Sequence, residues 1–237
     1  MSVKPKIMTV YGTRPEAIKV APVVSALQDD DRFESVVVST GQHREMLEQV
    51  NKRFGITPDH DMALMKPGQT LNELVARAIR GLDPIIEEEQ PDVIISQGDT
   101  STAMVAALAG FHKGVKIVHL EAGLRTGNIF SPFPEEANRK IIGQIASLHL
   151  APTNESRENL RRENFRSKDI VVTGNTVIDA LLAASEWDVK FEDQRLEGLR
   201  NSDEKLVLVT THRRENLDAM KEIGLSLIHI SEPTRPY

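Results

Sequence analysis

A chain of 237 residues, 40% apolar and 27% charged, exceeds one ordinary domain and has the composition of a globular protein. Its net charge of -6 argues against a general nucleic-acid binder, while leaving room for a local basic cleft. The lack of cysteine excludes disulfides, a thiol nucleophile and cysteine-held metal and fits a reducing cytoplasm; no apolar signal region and no stretch of bilayer-spanning length points to export or membrane insertion.

The first predicted element is the apolar run IMTVY, residues 7–11, which ends in Gly-Thr-Arg-Pro. A helical stripe of Val20, Val23, Val24 and Leu27 follows at once. Thr13 to Glu16 fits a capping box, and Pro15 suits the first turn of a helix. Gly12 would let a ligand approach the backbone, and Arg14 and Lys19 bring two cations to the positive end of that helix. An anion site and a plain capped helix both fit this turn. It is neither a Walker A motif nor G-x-G-x-x-G, so cradles for ATP and NAD are disfavoured.

SVVVST (35–40) is the next strand, and Leu71, Leu74, Val75, Ala78 and Leu82 form a second helical stripe. DVIIS (92–96) then leads into Gly98-Asp99, where Asp99 reads both as an N-cap and as a carboxylate facing a crevice. VKIVHL (115–120) runs directly into Glu121. A loop with two glycines and two prolines joins it to a helix near Glu135, Glu136 and Arg139. Loops of this length at a sheet's carboxyl edge are more often functional than connective. Carboxylates converging there with Arg125 and Arg139 can act as base and acid in a water-poor cleft; surface salt bridges are the ordinary alternative.

SLHLA (147–151) and DIVVTG (169–174) complete a series of short strands alternating with amphipathic helices, which predicts an α/β fold with a doubly wound parallel sheet. After a polar stretch at 187–204, KLVLVTTHRREN (205–216) starts a fresh strand ending in His212, Arg213, Arg214 and Glu215. Such groups suit a leaving diphosphate or form a solvated charge cluster. The final segment, LSLIHISEPTRPY (225–237), resembles the in-frame translation of a sequencing-library adapter and reads as a non-native read-through tail. No H-E-x-x-H, no G-x-S-x-G and no aromatic platform are present, so metal, serine-hydrolase and nucleic-acid chemistries find little support.

Together GTRPEAIKVAP, GQHREML, QGDTSTA, HLEAGLRTGNIFSPFPEEANRK, TGNTVIDAL and THRREN closely resemble the bacterial non-hydrolysing UDP-N-acetylglucosamine 2-epimerases, in order from about residue 4 to 224. The resemblance implies two Rossmann-like domains of GT-B type, the second of them truncated here at its C-terminal side. Residues 1–172 would be the first domain, 173–224 the incomplete start of the second, and 225–237 the tail. It further implies interconversion of UDP-GlcNAc and UDP-ManNAc without nicotinamide or metal, by loss of UDP to give 2-acetamidoglucal and re-addition from the other face. Asp99, Glu121, Glu135 and His212 would then serve catalysis, and Arg14, Lys19, Arg125, Arg139 and Arg213 would hold substrate.

Gln42, His43, Arg44 and Gln69 would line an effector site where a second UDP-GlcNAc activates the enzyme. The expected setting is a cytoplasmic homodimer supplying ManNAc units for surface polysaccharide, with no nucleic-acid or membrane partner. The 237 residues by themselves are expected to be inactive or nearly so. The rival readings are a hydrolysing 2-epimerase that releases ManNAc and UDP, a GT-B glycosyltransferase, and a nucleotide-sugar-binding module without turnover.

Overall fold

The computed structural model describes residues 4–41, 44–66, 68–200, 202–203 and 222–226. Each of the apolar runs up to residue 174 becomes a strand, with ends within two residues of those expected. The strands are β1 (Lys6–Tyr11), β2 (Glu34–Ser39), β3 (His60–Asp61), β4 (Val93–Gln97), β5 (Lys116–Leu120), β6 (Leu148–Ala151) and β7 (Ile170–Val172). They pair in parallel in the order β3-β2-β1-β4-β5-β6-β7. Among the described residues only β3 escapes the sequence, because its two residues, His60 and Asp61, carry no apolar signature. The strand expected from residue 205 lies outside the described residues, as does the expected tail apart from 225 and 226.

Up to residue 200 the α-helices are α1 (Arg14–Gln28), α2 (Arg44–Phe54), α3 (Leu71–Glu89), α4 (Ser101–His112), α5 (Glu135–Ile145), α6 (Asn154–Arg162), α7 (Thr176–Ser185) and α8 (Gln194–Arg200). Strand residues alternate between two cores, as a parallel sheet covered on both faces requires. Val36, Val38 and Ile94 point into one core with Leu74, Ala78, Leu82 and Ile86 of α3. Their neighbours Val37 and Ile95 point into the other, with Val20 and Val24 of α1 and Leu47 of α2. Full burial of each aliphatic residue contributes roughly 1.5–3 kcal/mol. Leu71 leaves the predicted stripe: it opens the first turn of α3 and is exposed.

Helix α4 is buried along most of its length and packs between α3 and α5. Its alanines allow that, since a thin helix can sit close to the sheet. Residues 1–187 form one compact unit, in which α7 packs on α1, and 188–237, with α8, form another. Among the described residues no helix is long and apolar enough to cross a membrane.

After β5 the backbone passes over α6 at Gly123, whose φ is +90° and where an added Cβ would lie 2.2 Å from the Ser156 carbonyl oxygen. Both the conformation and the clash with backbone exclude a side chain. Gly123→Ala is therefore expected to destabilise the fold by at least about 2 kcal/mol, read as a fall in the urea midpoint.

Candidate active site

The connection after β1 turns back towards β2, whereas the one after β4 runs on to β5. Adjacent strands whose helices part in this way leave a crevice beyond their carboxyl ends, where open α/β sheets take ligands. Three segments meet there: the β1–α1 turn, the β4–α4 turn and the residues after β5.

In the β1–α1 turn the capping box forms as the sequence predicts, with Thr13 as N-cap of α1. The Glu16 carboxylate accepts hydrogen bonds from the amides of Gly12 (2.8 Å) and Thr13 (2.7 Å) and from the Thr100 hydroxyl (2.5 Å). Two amides that would face an anion are thus already taken. Burial pushes the Glu16 carboxyl up, and the three donors oppose it. Gly12 is required by packing: a Cβ there would lie 2.1 Å from the Thr40 hydroxyl oxygen.

In the β4–α4 turn the N-cap of α4 is Thr100, not Asp99. Asp99 is freed from capping and is held from α5 instead. Arg139 donates Nε at 2.8 Å and Nη2 at 2.5 Å to Asp99 Oδ2, while Oδ1 takes no hydrogen bond from a described residue. Arg139 Nη1 reaches the fully buried Glu136 at 3.1 Å, and Asn138 donates to the Asp99 carbonyl at 2.8 Å. The turn is also held from beneath. His119 on β5 donates Nε2–H to the Gly98 carbonyl at 2.8 Å, which fixes its tautomer.

Glu121 follows β5 with φ at +67°, a left-handed conformation that costs a non-glycine residue about 1–2 kcal/mol. Its carboxylate accepts from Lys19 Nζ at 2.6 and 2.7 Å, from Gln97 at 2.6 Å and from Asn175 at 3.2 Å. Lys19 comes from α1 and Asn175 caps α7, so elements distant in sequence converge on one side chain. Asp99, Glu121, Lys19 and Thr13 line one cavity of about 390 Å³. A larger cavity of about 720 Å³, lined by Pro5, Asp92, Lys113 and Lys116, lies at the opposite edge, where the strands begin; ligand sites of open α/β sheets favour the carboxyl edge.

The other candidates fall in different places. Arg14 is exposed at the start of α1 and has no hydrogen-bond partner among the described residues. Glu135 is half-buried at the first position of α5 and equally unpartnered among them. Arg125 is committed to Glu163 by two hydrogen bonds of 2.9 Å, and this guanidinium, helped by Lys140, lowers the Glu163 carboxyl to about 2. Gln69 accepts from Arg77 at 2.9 Å. Arg44 begins α2, but its side chain, like Gln42, His43, His212 and Arg213, lies outside the described residues. Among the described residues no cluster of three metal-ligating side chains occurs.

Sequence reasoning missed Gln97 and Asn175 as groups of the cleft. Asn175 gives only the signal of a helix cap, and Gln97 only that of a strand end; their shared partner Glu121 lies 54 residues from Asn175 and 24 from Gln97.

Residues 25–235 match the family model described as UDP-N-acetylglucosamine 2-epimerase. A curated UDP-N-acetylglucosamine 2-epimerase of Yersinia pestis is 51% identical over 216 residues, covering 89% of this chain and 57% of that protein. One from Escherichia coli K12 is 50% identical with the same coverage. The crystal structure of UDP-GlcNAc 2-epimerase from Neisseria meningitidis bound to UDP-GlcNAc superposes with a TM-score of 0.83 at 42% identity, covering 97% of this chain and 63% of the other. The chain spans about 57% of the length of the curated relatives it matches.

His119 carries a pH dependence with a definite sign. Burial lowers its imidazole to about 4 in the fold, against 6.5 for a free ring. Stability that is complete above pH 6.5 is therefore lost as the pH falls through this window, by about 3 kcal/mol at its acid end. Urea denaturation at pH 7 and pH 4 should show a smaller acid loss for His119→Gln than for the wild type, and equal losses would contradict the assignment.

Proposed function

This chain belongs to the UDP-N-acetylglucosamine 2-epimerase family, and on that footing we propose that its crevice is one wall of a site where UDP-GlcNAc and UDP-ManNAc are interconverted. The observation that carries the reading is the convergence of Asp99 and Glu121 with Lys19 at the carboxyl edge of the sheet, beside the switch in strand order.

The proton on sugar carbon 2 is not acidified by an adjacent carbonyl, so its removal has to be coupled to departure of a leaving group. A carboxylate takes that proton, the C1–O bond breaks, and UDP leaves with the bonding pair as the C1=C2 double bond of 2-acetamidoglucal forms. In the return step a UDP oxygen bonds to carbon 1 and a proton reaches carbon 2 from the opposite face. Positive charge developing at carbon 1 calls for a nearby carboxylate, and the departing diphosphate calls for cations.

Asp99 suits proton transfer because Arg139 holds one oxygen and leaves the other free of described partners. Glu121 suits stabilisation of carbon 1, since its three donors hold it in place. Glu135, at the start of α5, is the third carboxylate available for acid–base work. Arg14, which stands free of described partners, would meet the diphosphate, with His212 and Arg213 assigned to the same task. Lys19 and Arg139 act through the carboxylates they hold. Arg125 acts further off, by tying the loop after β5 to Glu163. On the same reading a second UDP-GlcNAc binds as activator near Gln42, His43, Arg44 and Gln69, and the protein works as a cytoplasmic homodimer.

The test uses the protein at the full length of its relatives, incubated with UDP-GlcNAc in deuterated water. UDP-ManNAc should form, with deuterium on carbon 2, and Glu121→Gln should slow turnover by about 10²- to 10⁴-fold. Release of free ManNAc would point to a hydrolysing enzyme, and absence of deuterium from carbon 2 to a transferase.

A further inference from the structure

The Arg14 and Asp99 assigned to the site sit on two different turns, and the sheet does not couple them. Pairing between β1 and β4 ends at Val10 and Ser96, before either turn begins. Glu16 spans that gap. One of its carboxylate oxygens accepts from the Gly12 and Thr13 amides of the first turn, and the other accepts from the Thr100 hydroxyl of the second.

A capping box needs only the contacts within residues 13–16. The reach to Thr100 is additional, across 84 residues of sequence. Thr100 can serve both sides because its oxygen accepts from the Ala103 amide at 3.1 Å while its proton goes to Glu16. Glu16 is 3% exposed and has no cation bonded to it among the described residues. A carboxylate in such a place is costly to bury, and among the described residues three donors offset that cost.

We propose that Glu16 is a positioning residue that locks the β1–α1 and β4–α4 turns together and so fixes the separation of Arg14 from Asp99. Its effect on turnover rests on the epimerase reading; the lock itself does not. Loss of the lock leaves Arg14 and Asp99 in place on their own turns but lets the turns move apart. Since a displacement of about 1 Å can cost a reaction 10²-fold, such freedom should appear mainly in kcat.

Three variants of the full-length protein test this. Glu16→Gln can offer its carbonyl oxygen to the two amides and its amide nitrogen to the Thr100 oxygen, whereas Glu16→Ala offers nothing. Glu16→Asp keeps the charge but is one methylene too short to reach both turns.

Amide hydrogen exchange at residues 98–100, a turn to which Glu16 does not belong, should rise about tenfold or more in Glu16→Ala and Glu16→Asp and stay near wild type in Glu16→Gln. In the same two variants kcat should fall by about 10- to 100-fold with KM little changed, and Glu16→Gln should recover most of it. Exchange that changes only at residues 12–17 would reduce Glu16 to an ordinary cap and overturn the lock, whatever the reaction. Faster exchange at 98–100 with kcat unchanged would overturn the positioning role. If exchange rises as expected while the wild type leaves UDP-GlcNAc untouched, the lock stands and the epimerase reading falls. Should Glu16→Ala fail to fold, Glu16→Asp decides between the same outcomes.

Discussion

Two helices that leave neighbouring parallel strands towards opposite edges of a sheet must part at their N-termini, and the gap cannot be filled by the backbone ladder. In this protein the ladder stops at Val10 and Ser96, and the gap opens just beyond. Every group of the cleft follows from that geometry. Gly12 is admitted because Thr40 already occupies the space of a side chain. Thr13 and Thr100 each start a helix at the rim. Asp99 and Glu121 are the residues that leave the sheet on the far side of the gap.

Charge organises the far wall. Asp99, Arg139 and Glu136 form a series of alternating sign that runs from the rim to a fully buried carboxylate. Lys19 answers Glu121 from the opposite helix. Pairs as sheltered as these add little net stability, yet losing one partner is expensive because it strands the other charge in a dry place. They act as geometric constraints: a carboxylate tied by two or three donors has one orientation. The strained backbone at Glu121 belongs to the same economy of position, since a residue in an unfavourable conformation persists only where its surroundings over-determine it.

Much of this was legible in the sequence because β-branched strands and helix caps are local signals. Thr13 with Glu16 announces a helix start, and VVV at 36–38 announces a strand buried on both faces. Legibility stops where a residue acts across elements. Gln97 and Asn175 look like a strand end and a cap, and only folding shows that both hold Glu121. The N-cap of α4 falls one residue beyond Asp99, at Thr100, a shift of register that propensity does not settle because both types cap well. Gly12 shows in the sequence as a demand for close approach, but the threonine that packs against it, Thr40, comes from another element and is visible only in the fold. Arg125 showed its charge in the sequence, but not that Glu163, 38 residues on, would claim it.

The occupation of the Gly12 and Thr13 amides by Glu16 bears on how such a cleft changes over evolutionary time. A cradle of backbone amides is bound to its ligand's shape, because no substitution alters an N–H without altering the turn. Here the turn is closed by the protein's own carboxylate, so if the cleft takes a diphosphate as proposed, preference for one anion over another would fall to side chains at the rim, such as Arg14. Those could be exchanged one at a time while the scaffold beneath stays intact, which would make ligand choice heritable in small steps and leave the fold out of the trade.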